Sequence, residues 1–427
     1  MSIQIIFTLA AFIFVAASLI SGKIPASVAC GIAVLFLWLT RVITTEEAFA
    51  NFVSNNSIVM VGMMIEIGAL MKTNILVNIA NLVRKSKGSG YRVLLIASML
   101  IPYILCQFIG GVTAMIAVIP LLIGLAKEIG VSPTKLVLPV SVGAQCGLYA
   151  LPIGGGISMY LLKNQMMANL GCFEELGFFD LALTRIPGNI AVILFIICVG
   201  HKLLPERELV DTGMIDQNSD VIKASTLAPW KQTATYIVFF GSVVAMCFTK
   251  QIGISNTQIA VMGAFLCVVL GIINEREMYQ SVNWSLVFLM AFMLALTTAI
   301  GNSGAGELVA NALAPVFESG NAAFAVTVVF IVCILMTQIV DNMVVINMLA
   351  PIAIIACTKF GMSALPFIAA IDASGCSSFS TPLSSTASLV AFKMGGYSMW
   401  EMVKFTFPLI IISTVVSIIW IPIYFGL

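Results

Sequence analysis

Between Ile5 and Ile20 the chain carries no charged residue, and apolar runs of this kind recur along its whole length. A helix rises about 1.5 Å per residue, so about 20 apolar residues cross the ~30 Å hydrocarbon layer of a bilayer. Segments suited to such helices are Ile5–Ile20, Ile24–Leu39, Ile58–Met71, Leu181–Leu204, Thr235–Phe248, Ile259–Ile273, Leu286–Ile300 and Val403–Phe425. Of the 427 residues, 60% are hydrophobic and 9% charged, whereas a soluble domain carries about a quarter charged residues. The expected fold is an all-α polytopic membrane protein. No Lys or Arg precedes the first apolar run and further runs follow at once, so it reads as a first transmembrane helix rather than a signal peptide.

Several function classes drop out. A net charge of +1 argues against a nucleic-acid partner. The ten cysteines lie mostly inside apolar runs (Cys106, Cys198, Cys247, Cys267, Cys333), without CxxC or Cys/His spacing, and His201 is the single histidine. Neither a transition-metal centre nor a disulfide framework is expected. No HExxH or GxSxG motif is present, which disfavours an intramembrane enzyme.

Charge sets the orientation. With the N-terminus outside, the inner loops collect Lys23, Lys72, Arg84, Lys85, Lys87, Arg92, Lys127, Lys135, Lys202, Arg207, Lys223, Lys231, Arg276, Lys393 and Lys404. The outer side keeps Arg41, Lys163, Arg185, Lys250 and Lys359. This bias follows the positive-inside rule, with both termini outside a bacterial inner membrane.

The two halves resemble each other. CQFIGGVTAMIAVIPLL answers TQIVDNMVVINMLAPIA, pairing Gln107 with Gln338, Gly110-Gly111 with Asp341-Asn342 and Pro120 with Pro351. PVSVGAQCGLYALPIGGG answers PFIAAIDASGCSSFSTPLSS, pairing Pro152 with Pro382. The first repeat spans residues 1–204, with a hairpin at about 91–127 and a broken span at about 133–163. A polar cytoplasmic linker covers 205–230. The second repeat spans 231–427, with a hairpin at about 322–358 and a broken span at about 363–393. An odd number of crossings per half makes the repeats inverted, an arrangement that holds substrate near the midplane in transporters. The arms Val93–Phe108 and Thr113–Leu125 come to about 24 and 20 Å as helices. They are short for a full crossing, and re-entrant hairpins are expected.

Unwound backbone at membrane depth survives only where it lines a cavity or is buried in protein. It frees carbonyls for cations and helix N-termini for anions. Candidate substrate contacts are therefore Gly110, Gly111 and Thr113, Gly154 and Gly155, Asp341 and Asn342, and Thr381, Ser384 and Ser385. Candidate cation contacts are Gly110, Gly111 and Gly147 in the first half, and Asn342, Asp372, Ser374, Ser377 and Ser378 in the second. Sodium is the only metal in prospect, and no cofactor is expected beyond sodium or a proton as coupling ion. Asp341, Asp372 and Glu66 are acids within apolar elements, where such groups are costly and usually paired or functional.

With these features the chain resembles the divalent anion:sodium symporter family of the ion transporter superfamily. The likeness rests on the spacing from Gly111 to Pro120 and from Asn342 to Pro351, and on the LPIGGG and STPLSS breaks. The resemblance implies a dimer of scaffold and transport domains, elevator-like alternating access and sodium coupling. In that family each tip carries Ser-Asn-Thr. Here the positions are Gly110-Gly111-Val112 and Asp341-Asn342-Met343, so Asn342 alone matches outright. The expected activity is secondary transport of a small organic anion, a dicarboxylate first, by a lipid-embedded homodimer. The alternative is a sodium/proton antiporter using Asp341 and Asp372.

Overall fold

Glycine, proline and capping side chains cut the apolar runs into helices, and the computed structural model contains no strand among its described residues. The structure describes residues 3–427 except 22, 76, 79–80, 82–89, 208, 210–224, 313, 319–320, 341 and 383. The first half runs α1 (Ile3–Ser21), α2 (Ala26–Leu39), a short α3 (Thr45–Phe49) and α4 (Asn55–Met71). A hairpin of α5 (Tyr91–Leu105) and α6 (Gly111–Glu128) follows, then a broken span of α7 (Thr134–Gly147) and α8 (Gly155–Asn169), then α9 (Asp180–Cys198).

The second half repeats this order. It has α10 (Pro229–Cys247), α11 (Asn256–Val269), a short α12 (Glu275–Ser281), α13 (Trp284–Ser303) and an added α14 (Ala305–Ala312). Its hairpin is α15 (Ala322–Thr337) and α16 (Asn342–Phe360), its broken span α17 (Leu365–Gly375) and α18 (Thr386–Gly395), and its last helix α19 (Met399–Phe425). Four helix starts recur 231 residues apart: Tyr91 and Ala322, Gly111 and Asn342, Thr134 and Leu365, Gly155 and Thr386.

Three features depart from the sequence-based expectation. Short α3 and α12 fall between the expected spans, in segments to which the sequence assigned no helix. Each opens with a capping box, Thr44 with Glu47 and Asn274 with Glu277, which satisfies first-turn N–H groups. The second hairpin arms are also longer than their apolar runs, at 18 residues in α6 and 19 in α16. Pro120 and Pro351 stay inside these helices, which continue through Lys127 and Lys359 to more polar ends. Among the described residues, five segments are long and apolar enough to cross a membrane: Thr45–Met71, Asp180–Cys198, Trp284–Ser303, Asn342–Phe360 and Met399–Phe425. The linker assigned to 205–230 ends early, because Pro229 opens α10 at a position where its missing N–H costs nothing. Residues 210–224 of that linker lie outside the described residues.

The halves interlock. Helix α2 packs on α13, and its counterpart α11 packs on α4, so each early helix finds its main partner in the other half. Small residues allow the approach, as is usual where lipid supplies no hydrophobic drive between helices. A Cβ at Gly62 of α4 would lie 2.8 Å from the Ala260 carbonyl oxygen of α11. Large side chains on the outer surface, such as Val269, Leu39 and Ile237, are exposed and suited to lipid. At the centre lie the broken spans. Every residue from Pro366 to Gly375 is buried, as is every residue from Leu136 to Gly147.

Candidate functional site

The first hairpin meets the first broken span backbone to backbone. Cβ atoms at Gly143 and Gly147 would each lie 2.4 Å from a carbonyl oxygen of α5, those of Met99 and Tyr103. Buried Gln107, just past α5, then stitches the tip to the break. Its Nε2 donates to the carbonyls of Tyr103 at 3.0 Å and Gly147 at 2.6 Å. Its Oε1 accepts from the Leu151 N–H at 3.0 Å, and its carbonyl accepts from the Gly155 N–H at 3.3 Å. Gly154 has φ +59° and ψ −118°, a region open essentially to glycine, and a Cβ there would meet the Gln107 carbonyl oxygen at 2.3 Å. Gly110 and Thr113 are exposed at the tip, and nothing lies within 4 Å of a Cβ built on Gly110.

Gln338 does the same in the second half with fewer bonds. Its Nε2 returns to the Ile334 carbonyl of its own helix at 2.8 Å, and its Oε1 accepts from the Ser380 N–H at 3.2 Å. The Thr381 hydroxyl donates to the Gln338 carbonyl. Ser384 Oγ donates to the carbonyls of Ser378 at 3.0 Å and Thr381 at 2.7 Å, and Ser385 caps α18 by accepting from the Ser388 N–H at 3.1 Å. Buried Asn342 opens α16, and its Oδ1 accepts from the Met343 N–H at 2.9 Å. Ser374 and Ser377 turn back to the carbonyls of Ala370 at 2.6 Å and Ala373 at 2.9 Å, and Ser377 also shares a hydrogen bond with Ser413. Ser378 is fully buried, and its Oγ has no hydrogen-bond partner among the described residues. Asp341 lies outside the described residues.

Asp372 has company that the sequence did not reveal. Lys163 Nζ of α8 lies 2.6 Å from its Oδ1, and Arg185 Nη1 of α9 lies 3.4 Å from its Oδ2. All three residues are at most 4% exposed. The carboxylate offered to sodium or an exchanging proton thus has both oxygens facing basic side chains of the chain itself. Arg185 Nη2 also donates to the carbonyls of Leu148 at 3.0 Å and Cys146 at 3.3 Å, and Asn189 Nδ2 donates to Cys146 at 3.0 Å. A cation at the carboxyl end of α7 is favoured by the helix dipole. The two breaks adjoin here, with Cys376 Sγ 4.0 Å from the Leu148 carbonyl oxygen.

Lys163 and Arg185 were expected as outer-loop charges. Both are buried within helices, because Asp372 and the α7 carbonyls neutralise them. Arg185 falls inside the apolar run Leu181–Leu204, and a basic residue within such a run was the signal available. Glu66 of α4 is fully buried. A Cβ on Gly263 of α11 would lie 2.0 Å from its Oε1. A separate cavity of about 520 Å³ opens near Asn169, Asn302, Thr358 and Lys359 and includes none of the expected site residues.

Comparison with known proteins agrees with this architecture. The YdaH transporter of Alcanivorax borkumensis superposes with a TM-score of 0.62 over 90% of this chain and 88% of that one, at 16% identity. Uncharacterized transporter YfbS of Escherichia coli is 24% identical over 227 residues, covering 53% of this chain and 36% of that protein. Uncharacterized transporter sll0640 of Synechocystis is 24% identical over 192 residues, 45% of this chain and 31% of its own. The chain thus spans about a third of the length of these two relatives. Probable sodium/sulfate cotransporter 3 of Chlamydomonas reinhardtii is 25% identical over 167 residues, 37% of this chain and 19% of that protein. The citrate transporter family, CitMHS, matches residues 12–372. A family match over most of the chain, on a fold shared with the YdaH transporter, shows that the chain belongs to the citrate transporter family.

Proposed function

We propose that the chain is a cation-coupled carrier of a small organic carboxylate, working by elevator-type alternating access between inverted halves. The observation that carries this reading is the charge at the adjoining breaks, where Lys163 and Arg185 face the single carboxylate of Asp372. Four helices, α6, α8, α16 and α18, also begin at a tip or a break. Their N-terminal N–H groups carry partial positive charge and favour an anion. At an effective dielectric near 20, a unit charge ~4 Å from another is worth about 4 kcal/mol, so one excess cation bears strongly on which ions approach. Sodium is the preferred coupling ion, in keeping with the relative named as a sodium/sulfate cotransporter. The proposed setting is a homodimer in a bacterial inner membrane, with both termini outside.

The test is ligand stabilisation of the purified full-length protein, because a molecule that binds the folded state raises its apparent stability. Citrate, succinate and sulfate are compared in sodium chloride and in choline chloride. A carboxylate that raises the unfolding temperature further in sodium is the expected result. If no anion shifts it in either salt at any pH, the reading fails. Re-entrance is tested by cysteine labelling at Leu105 on a cysteine-free background, where labelling only from outside would require a full crossing.

A further inference from the structure

The two breaks occupy equivalent places, yet their carbonyls are treated differently. In the first half the successive carbonyls of Cys146, Gly147 and Leu148 all accept from side chains, namely Arg185 with Asn189, Gln107, and Arg185 again. Shifted by 231 residues, these positions become Ser377, Ser378 and Phe379. There the Ser378 carbonyl accepts from Ser384, while among the described residues no donor reaches the carbonyls of Ser377 or Phe379. The buried Ser378 hydroxyl likewise lacks a partner.

The cause lies in the last helix of each half. Pro187 of α9 and Pro408 of α19 are interior prolines, and the residue two before each faces the break. In α9 that residue is Arg185. In α19 it is Thr406, whose hydroxyl donates to Ser380 Oγ at 3.1 Å. One half therefore presents a guanidinium to its break and the other a short hydroxyl beside oxygen atoms that have no donor among the described residues.

We propose that Arg185 is a tethered cation that fills the ion cradle of the first half, so that the second break alone takes a mobile ion. This deepens the cation-coupled reading and rests on it. Carbonyl and hydroxyl oxygens are the ligands of a hard cation such as sodium, and in the first break the carbonyls already accept from the Arg185 guanidinium and the amides of Asn189 and Gln107. Coupling then involves one sodium ion per cycle, and the two tips envisaged as sodium sites are not equivalent.

The experiment counts bound sodium with radioactive sodium on the purified full-length protein, with choline holding the ionic strength. It runs in parallel on the wild type, Arg185→Ser, Arg185→Lys and Ser378→Ala. The expected result is about one ion for the wild type and for Arg185→Lys, about two for Arg185→Ser, and severalfold weaker binding for Ser378→Ala. Two ions or none in the wild type overturns the inference, as does one ion in a folded Arg185→Ser protein. Should Arg185→Ser fail to fold, the wild-type count and Ser378→Ala decide, and undiminished binding in Ser378→Ala counts against it. Carboxylate uptake into proteoliposomes is measured separately. Its absence alongside the expected sodium counts would sink the transport reading while leaving the cation assignment standing.

Discussion

Gln107 and Gln338 occupy equivalent places, but they should not cost the same to remove. Replacing Gln107 by Ala deletes two bonds that leave its own helix, one to the Gly147 carbonyl and one from the Leu151 N–H. Replacing Gln338 by Ala deletes one, from the Ser380 N–H, and it is the longer at 3.2 Å. Side-chain hydrogen bonds between membrane helices contribute about 0.6 kcal/mol on average and about 1.7 at most. The Gly147 carbonyl also accepts from the Ala150 N–H, so its loss is cushioned, whereas the Leu151 N–H is left without a partner. Gln107→Ala should therefore destabilise by about 1–3 kcal/mol and Gln338→Ala by about 1 kcal/mol or less. Thermal unfolding of the purified variants, followed by loss of the monodisperse chromatographic peak after heating, gives the comparison. Equal losses, or a larger loss at Gln338, would refute the claim that the stitching is one-sided.

Asp372→Asn should cost about 3–5 kcal/mol by leaving two buried cations without their carboxylate. Lys163→Met should cost clearly less, because Arg185 still faces Asp372; equal unfolding temperatures for the two variants would contradict the pairing. Gly154→Ala forces a left-handed φ on a residue with a Cβ and drives that atom onto the Gln107 carbonyl, so a loss of about 2 kcal/mol or more is expected in the same assay. The Lys72 ammonium, 2.7 Å from Glu277, holds the carboxyl of that surface residue below its ordinary range. Its folded pKa therefore lies under its unfolded one, so the pair stabilises fully above the ordinary glutamate range and loses its effect as pH falls through the lowered pKa. Glu277→Gln should lower the unfolding temperature slightly at neutral pH, with the difference from wild type closing in acid; a gap that widens in acid would show the sign to be wrong.

The breaks were legible because the residues that make them are chemically unusual in lipid. Gly154-Gly155-Gly156 and the serine-rich run around Pro382 have few other reasons to interrupt apolar helices. The equivalence of Gln107 and Gln338 was visible as spacing, but their bonds depend on how closely Gly143 and Gly147 let α7 approach α5, a tertiary fact. The ion cluster was hidden for another reason. Lys163, Arg185 and Asp372 lie on three elements drawn from both halves, and a basic residue near a predicted span end is counted by charge rules as loop. The longer second hairpin arms were missed because membrane helices tolerate interior proline and continue past the apolar run. The capping boxes of α3 and α12 were present as TTEE and NERE patterns, a local signal that a reading of apolar runs passes over.

The pairing of α4 with α11 has a consequence for how the protein is made. Met71 ends α4 and Asn256 begins α11, 185 residues later. A ribosome adding about 5–20 residues per second needs roughly 10–40 s to cover that distance. Throughout that interval α4 is in or beside the bilayer with the carboxyl of Glu66, before Gly263 arrives to enclose it. A lone acid in lipid is costly, so the young α4 has reason to linger at the insertion machinery or sit shallow in the membrane until α11 emerges. Ribosomes stalled between residues 71 and 256 should therefore carry an α4 more open to labelling than in the finished protein, and releasing the stall beyond α11 should close it.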